Sequence, residues 1–280
     1  METNDTNLIN FKTYLISNGH SSLVYWGLMK EVMPKIQDFS KEGIFNFILA
    51  KKETGVSNAT VNMYIKAIRV YLKSIGRRKI YEVTPKYFKV TKKISSFITL
   101  DFLEKEIIPN LKYIFSAKKV LQIKALLYFM FYSGLRKVEI EKLKRVNFNF
   151  KENELLVYIP KTKEERLIPL NINEKMNKVI RRYFNSEPEK YNAFNLKPDS
   201  MKYIFQLLKS NFPKAKLHSH CFRHSFNFHL KTMGIDVFDR MKLLGHKNIA
   251  TTALYDHFDI TTLKKKFDLI NQLNQKESGN

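Results

Sequence analysis

Apolar residues recur at helical spacing through the first quarter of the chain, and the runs are separated by residues suited to capping. Asn10–Leu15 opens the series. Ser21 or Ser22 is placed to cap a segment carrying Leu23, Trp26, Leu28, Met29 and Met33, and Ser40 to cap one with Ile44, Phe45, Phe47 and Ile48. The clearest pattern follows Ser57, where Val61, Met63, Tyr64, Ile68, Val70 and Tyr71 recur helically while Lys66, Arg69 and Lys73 supply a basic side. Residues 1–80 therefore read as a small all-helical domain. The periodicity then degrades into RRKIYEVTPKYFKVTKK, whose cations and proline predict a basic linker over 81–96, either extended on a polyanion or solvated between domains.

A second domain, 97–280, begins where Thr99 starts a new helical phase through Phe102, Leu103, Ile107 and Ile108. Residues 118–133 form a strongly apolar helix expected at the centre of its core. Leu155–Ile159 and Arg166–Leu170 carry strand signals around a turn at Pro160–Glu165, so a hairpin is expected inside an otherwise helical domain. Helical patterns resume over 173–184, 200–211 and 222–233. The predicted fold class is mainly α with a small β-hairpin or sheet, in two domains. A length of 280 residues with 44% apolar content suffices to bury both cores.

Composition narrows the partner. The formal net charge of +23 exceeds what solubility calls for, and nucleic acid is the commonest polyanion that neutralises such a field. No apolar stretch reaches the roughly 18 residues of a membrane span. The N-terminal METNDTNLINF lacks a basic leader, and Cys221 is the only cysteine, so a soluble protein of a reducing compartment, the cytoplasm, is expected.

Several constellations carry chemistry. Arg136 follows Ser133–Gly134 and precedes Glu139 by three residues; glycine permits a tight turn from which the guanidinium fork can meet two phosphate oxygens, although a local ion pair with Glu139 explains the same spacing. Lys161 and Lys163 lie in the hairpin turn, where a lysine can protonate a departing oxygen or simply be solvated. His220 and Arg223, three apart at a helix start, share a side and can face one target. His218, His220, Cys221, His224 and His229 also resemble loose metal ligands, but the spacing suits a closed zinc site poorly, and neither metal nor cofactor is expected. Leu243–Leu244–Gly245–His246 suggests a helix stopped by glycine with an imidazole just beyond it. Tyr255 follows nine residues later on another short helix; arginines nearby would lower the cost of its ionisation, although it is one of 14 tyrosines.

Taken jointly, these motifs resemble the tyrosine recombinase, or phage integrase, family, in particular its short Xer-like and archaeal or viral members. Gly134–Leu135–Arg136 with Glu139 matches the family's GLR-x-x-E motif. Arg166–Leu167–Ile168–Pro169–Leu170 fixes the hairpin register so that Lys161 rather than Lys163 takes the lysine position. The H-x-x-R-H box falls on His220, Arg223 and His224, the LGH motif on His246 and the nucleophile on Tyr255. Val138 replaces a residue that is often small, and the hairpin lacks the glycines common around the lysine. The resemblance implies a DNA-cleaving and rejoining enzyme that works without metal or ATP through a 3′-phosphotyrosyl intermediate. It further implies a C-shaped clamp on duplex DNA, protomers paired on inverted half-sites, and a tetrameric synapse resolving a Holliday junction. A tail stripe of Leu263, Phe267, Ile270 and Leu273 would pack on its own domain or on a neighbouring protomer. Basic faces alone would serve a noncatalytic architectural protein, and the same chemistry without paired sites would serve a type IB topoisomerase-like enzyme.

Overall fold

The computed structural model describes residues 2–19, 22–36, 38–90, 96–159, 164–197, 199–246 and 249–253. Lys161, Lys163, Tyr255 and the tail stripe lie outside them. The chain divides into two compact units, Met1–Lys93 and Ile94–Asn280.

The first unit is helical: α1 (Glu2–Ser17), α2 (Ser22–Val32), α3 (Lys41–Glu53) and α4 (Asn58–Ser74), followed by a short α5 (Ile80–Val83). The hydroxyls of Ser40 and Ser57 accept the Gly43 and Thr60 N–H groups and so fix where α3 and α4 begin. Phe11, Leu15, Met29, Ile44, Ile48, Val61, Ile65, Ile68 and Leu72 form its core.

Two details depart from the sequence reading. Residues 84–89, in the expected basic linker, are strapped to α4. Asn62 pairs through its side-chain amide with both the N–H and the carbonyl of Phe88 (2.8 and 2.9 Å), and Asn58 Nδ2 donates to the Lys89 carbonyl (2.8 Å). Arg69, expected on a basic solvent face, instead donates to Thr84 Oγ1 (2.9 Å) and the Pro85 carbonyl (2.8 Å), with its guanidinium against the rings of Tyr81 and Tyr87. A guanidinium offers several donors on a planar fork, so folded chain can satisfy it where a lysine at the same position would stay in water.

In the second unit α6 (Leu100–Phe102) runs through one π-helical turn (Leu103–Ile107) into α7 (Ile108–Ile114). The long α8 (Ala117–Ser133) follows, every residue from Ala125 to Ser133 buried, and against it pack α10 (Glu174–Ser186) and α12 (Ser219–Thr232), while α11 (Ser200–Asn211) packs on α7 and α9 (Lys137–Lys142) on the second strand of the sheet. A three-stranded antiparallel sheet, β1 (Phe148–Asn149), β2 (Glu154–Ile159) and β3 (Glu164–Pro169), lies between α9 and α10 in sequence; β1 was not anticipated, being only two residues long. Leu155 pairs with Ile168 and Val157 with Arg166, so strand alternation puts Arg166 on the buried face beside Ile168. The short α13 (Val237–Leu244) and α14 (Ile249–Thr252) close the described chain. The molecule is thus predominantly helical with one small sheet, and among the described residues no helix is long and apolar enough to cross a membrane.

Candidate active site

Two glycine-terminated helices make the site. At the end of α8, Gly134 adopts φ +58°, and a Cβ there would lie 2.4 Å from Phe226 Cδ1, so both backbone sign and packing demand glycine. The turn delivers Arg136 to the N-cap of α9, where Glu139 accepts the Arg136 N–H (2.8 Å) and, through its other oxygen, Arg136 Nη1 (2.8 Å). At the end of α13, Gly245 (φ +62°) reverses the chain immediately before His246.

Three guanidiniums converge between these ends. Arg223, on the buried face of α12, donates through Nη1 to the Gly134 carbonyl (2.7 Å) and through Nη2 to the Leu244 carbonyl. Arg136 Nη2 donates to the Gly245 carbonyl (2.9 Å). Arg166, reaching in from β3, donates to Glu139 Oε2 (3.1 Å) and to the Leu244 carbonyl (3.3 Å). Glu139 is 1% exposed, Arg166 12% and Arg136 34%, so water reaches the cluster mainly at the Arg136 end. Three cations face one carboxylate there. Burial, then repulsion from Arg136, lowers the Arg223 pKa to about 9, which still leaves it charged at neutral pH.

The histidines respond to this excess. His246 Nδ1 lies 2.8 Å from Thr252 Oγ1 on α14, and burial together with Arg223 and Arg136 lowers its pKa to about 3. Partial burial, then the charges of Arg223 and Arg136, also hold the His220 imidazole below its usual range. His224, next along α12, is lowered to about 4, chiefly by burial. All three rings are neutral at neutral pH. One turn beyond Arg223, Asn227 Nδ2 donates to the Thr252 carbonyl (3.0 Å) and its Oδ1 accepts from Arg240 (3.1 Å), so α12 also fixes the helix that orients His246.

Of the sequence-predicted site residues, the structure thus brings Arg136, His220, Arg223 and His246 together. Of the other candidate metal ligands, His218 Nδ1 caps α12 by accepting the Cys221 N–H (3.0 Å), Cys221 is buried with its thiol pushed up to about 11, and His229 packs against Phe131 and Tyr132. A capped imidazole and a protonated thiol are poor metal donors. Arg166, Asn227 and Thr252 belong to the site and were not picked out. Arg166 had a legible signal, since alternation with Ile168 and Leu170 sets a charge on a core face, which demands partners; Asn227 and Thr252 had none, because their partners are backbone groups and side chains brought up by folding.

Residues 101–261 match the phage integrase family. The chain is 26% identical to tyrosine recombinase XerA of Pyrococcus furiosus, over 97% of this chain and 96% of that protein, and 25% identical to a tyrosine recombinase of Pseudothermotoga lettingae, over 96% and 98%. Its fold resembles that of a lambda integrase (75-356) dimer bound to a COC′ core site, with a TM-score of 0.69 at 14% identity covering 91% of this chain and 98% of that one. It also resembles the Tn1549 transposon integrase in complex with transposon right end DNA, with a TM-score of 0.68 at 16% identity covering 95% and 99%. With the motifs, the fold and the family match in agreement, the chain belongs to the phage integrase family of tyrosine recombinases, enzymes that break and rejoin DNA strands in site-specific recombination.

Proposed function

We propose that this recombinase acts on double-stranded DNA through a 3′-phosphotyrosyl intermediate formed on Tyr255. The observation that carries the reading is the convergence of Arg136 and Arg223, with more cationic than anionic charge around them, beside two neutral imidazoles. A phosphodiester gains negative charge on its nonbridging oxygens as a nucleophile adds, and preorganised guanidiniums in a largely dry site stabilise that charge more than they stabilise the ground state. The arginines supply the charge that a metal ion would otherwise contribute, so no step calls for one.

The Tyr255 oxygen forms a bond to phosphorus as the bond to the 5′-oxygen breaks. The phenol proton passes to His220, and Lys161 protonates the leaving 5′-oxygen; Lys163 is the weaker choice for that role. His246 acts as a donor rather than a base. Its Nδ1 lies 2.8 Å from the Thr252 hydroxyl; in the tautomer protonated on Nε2 the ring accepts from that hydroxyl and turns Nε2–H to a nonbridging oxygen, and a ring held near 3 takes up a second proton reluctantly. A 5′-hydroxyl from another strand reverses the step, which passes the reaction through a Holliday junction. The domains are assigned as a helical DNA-binding part over 1–80, a linker over 81–96 and a catalytic part with its tail over 97–280, in a cytoplasmic protein. Protomers pair on inverted half-sites and assemble as a tetramer in the synapse.

The test is covalent trapping. The full chain is incubated with genomic fragments and with nicked duplexes built from the sequences recovered, then run on a denaturing gel. The wild type is expected to retain the DNA end bearing the 3′-phosphate and Tyr255→Phe to retain none while still binding duplex. An adduct that persists in Tyr255→Phe removes Tyr255 as the nucleophile.

A further inference from the structure

The geometry points to Arg166 as a positioning residue for strand cleavage: seated under Gly245, it ties Glu139 to the Leu244–Gly245 turn and thereby fixes where Arg136 presents its guanidinium. The inference rests on the phosphotyrosyl reading above and deepens it.

Three observations converge on this residue. Glu139 is nearly without solvent access and has two cationic partners, Arg136 on Oε1 and Arg166 on Oε2. Arg136 alone gives Oε1 a guanidinium and Oε2 only its backbone N–H; Arg166 adds a charged donor to Oε2 from another element, which fixes the carboxylate plane and with it the fork that Arg136 holds against it. The second observation is the shared acceptor. The Leu244 carbonyl takes Arg166 Nη1 and Arg223 Nη2, and the next carbonyl, Gly245, takes Arg136 Nη2, so three guanidiniums from β3, α12 and α9 grip two consecutive peptide groups just before His246. The third is steric. A Cβ on Gly245 would fall 1.8 Å from Arg166 Nη1, so the glycine of the LGH motif leaves the gap through which Arg166 reaches that carbonyl, in addition to adopting a left-handed turn.

Arg166 itself is placed to serve and not to bind. Its side chain is 12% exposed, and among the described residues its Nε is buried without a hydrogen-bond partner, so nearly all of its donor capacity is turned inward. Burying a charge with one donor unmet is costly, and the other donors offset this by joining Glu139 on α9 to the Leu244 carbonyl at the end of α13. Arg136, at 34% exposure, is the member left open to an incoming phosphate. A small displacement of its fork is enough to matter, since misplacing a catalytic group by an ångström costs about 10²-fold in rate.

The test compares full-length wild type, Arg166→Gln, Arg166→Lys and Arg136→Ala in single-turnover cleavage of a nicked duplex of the trapped sequence. The scissile linkage is either an ordinary phosphodiester or an uncharged methylphosphonate, and duplex affinity and thermal midpoint are followed in parallel. Arg166→Gln is expected to slow phosphodiester cleavage by about 10- to 100-fold with affinity nearly unchanged. Its deficit should shrink on the methylphosphonate in step with that of Arg136→Ala, because both defects lie in stabilising charge on the same oxygens. Arg166→Lys keeps the charge but cannot bridge Glu139 and Leu244 at once, so it should retain part of the deficit; it also carries the test if Arg166→Gln fails to fold. A folded Arg166 variant that cleaves at the wild-type rate, or that loses equally on both linkages, overturns the inference while leaving the phosphotyrosyl reading standing. Failure of the wild type itself to form an adduct would instead remove that reading.

Discussion

Arg69 on α4 and the arginines around Leu244 and Gly245 use the same side chain to opposite ends. Arg69 gives its donors to Thr84 and Pro85 and its faces to Tyr81 and Tyr87, and the result is a fastened chain. In the second unit Arg136, Arg166 and Arg223 crowd one carboxylate and three carbonyls, and burial, then these charges, depresses the His246 imidazole beside them. The net charge of +23 does not distinguish these places. What marks the second as a site is positive charge that is buried and left in excess, an arrangement that destabilises the free protein and is relieved by an anion.

The comparison breaks most visibly at Arg223. Arg223→Ala should cut single-turnover cleavage by on the order of 10²-fold or more. Lys73→Ala on the exposed side of α4 should leave the cleavage step at the wild-type rate. Equal effects at the two positions would mean that bulk charge, not the buried excess, drives the chemistry.

A smaller loss is expected at Gly245. Gly245→Ala forces a side chain into a left-handed turn, costing about 1–2 kcal/mol, and pushes on the Arg166 guanidinium. Thermal unfolding should show the loss, and cleavage should fall with it. Gly55→Ala, also at positive φ but with no atoms within 4 Å of a built Cβ, should carry only the backbone penalty and leave cleavage intact. Similar effects on cleavage from both would make the Gly245 effect one of backbone sign alone.

Arg69→Ala sharpens the other side. It should destabilise the first unit by about 1–2 kcal/mol, since it removes charged hydrogen bonds and two ring contacts. Cleavage of DNA already bound should change little; a loss as large as that of Arg223→Ala would put Arg69 in the chemistry.

The two units should also differ in acid. His246 and His224 have native pKa values pushed to about 3 and 4, below the usual histidine value of 6.5. Between those values the unfolded chain binds more protons, so their contribution to stability is complete above pH 6.5 and is lost as pH falls toward 4 and 3. In the first unit Glu31 is held at about 2, chiefly by hydrogen bonds from Lys51 and Tyr64, so its contribution is complete above 4.5 and lost only as pH falls toward 2. Hydrogen exchange followed down the pH scale should therefore find α12 and α13 loosening before α2 and α4. Simultaneous loosening would mean that the histidines are not buried against the arginines as described.

Much of this was legible in the sequence because it is local. Serine caps, the apolar run of α8, the hairpin alternation and the glycine stop before His246 each follow from a few neighbouring residues. Arg136 and Arg223 were legible as chemistry through their motif spacing. The joint grip of three arginines on two carbonyls was not, because those acceptors belong to the backbone and leave no trace in residue type. The strap over 84–89 was hidden for a similar reason: the side chains of Asn58, Asn62 and Arg69 reach mainly backbone carbonyls, and cation-rich sequence with a proline reads as solvated wherever such partners cannot be seen.

The central claim is that tyrosine attack proceeds in a site whose charge comes from arginines. Digesting the covalent complex and weighing its peptides, with the trapping done in excess chelator, tests it most directly. The account predicts nucleotide mass on the peptide containing Tyr255 and a yield that chelation does not change. Nucleotide mass on another residue, or a yield that collapses with chelator and returns with a stoichiometric divalent metal, would contradict it.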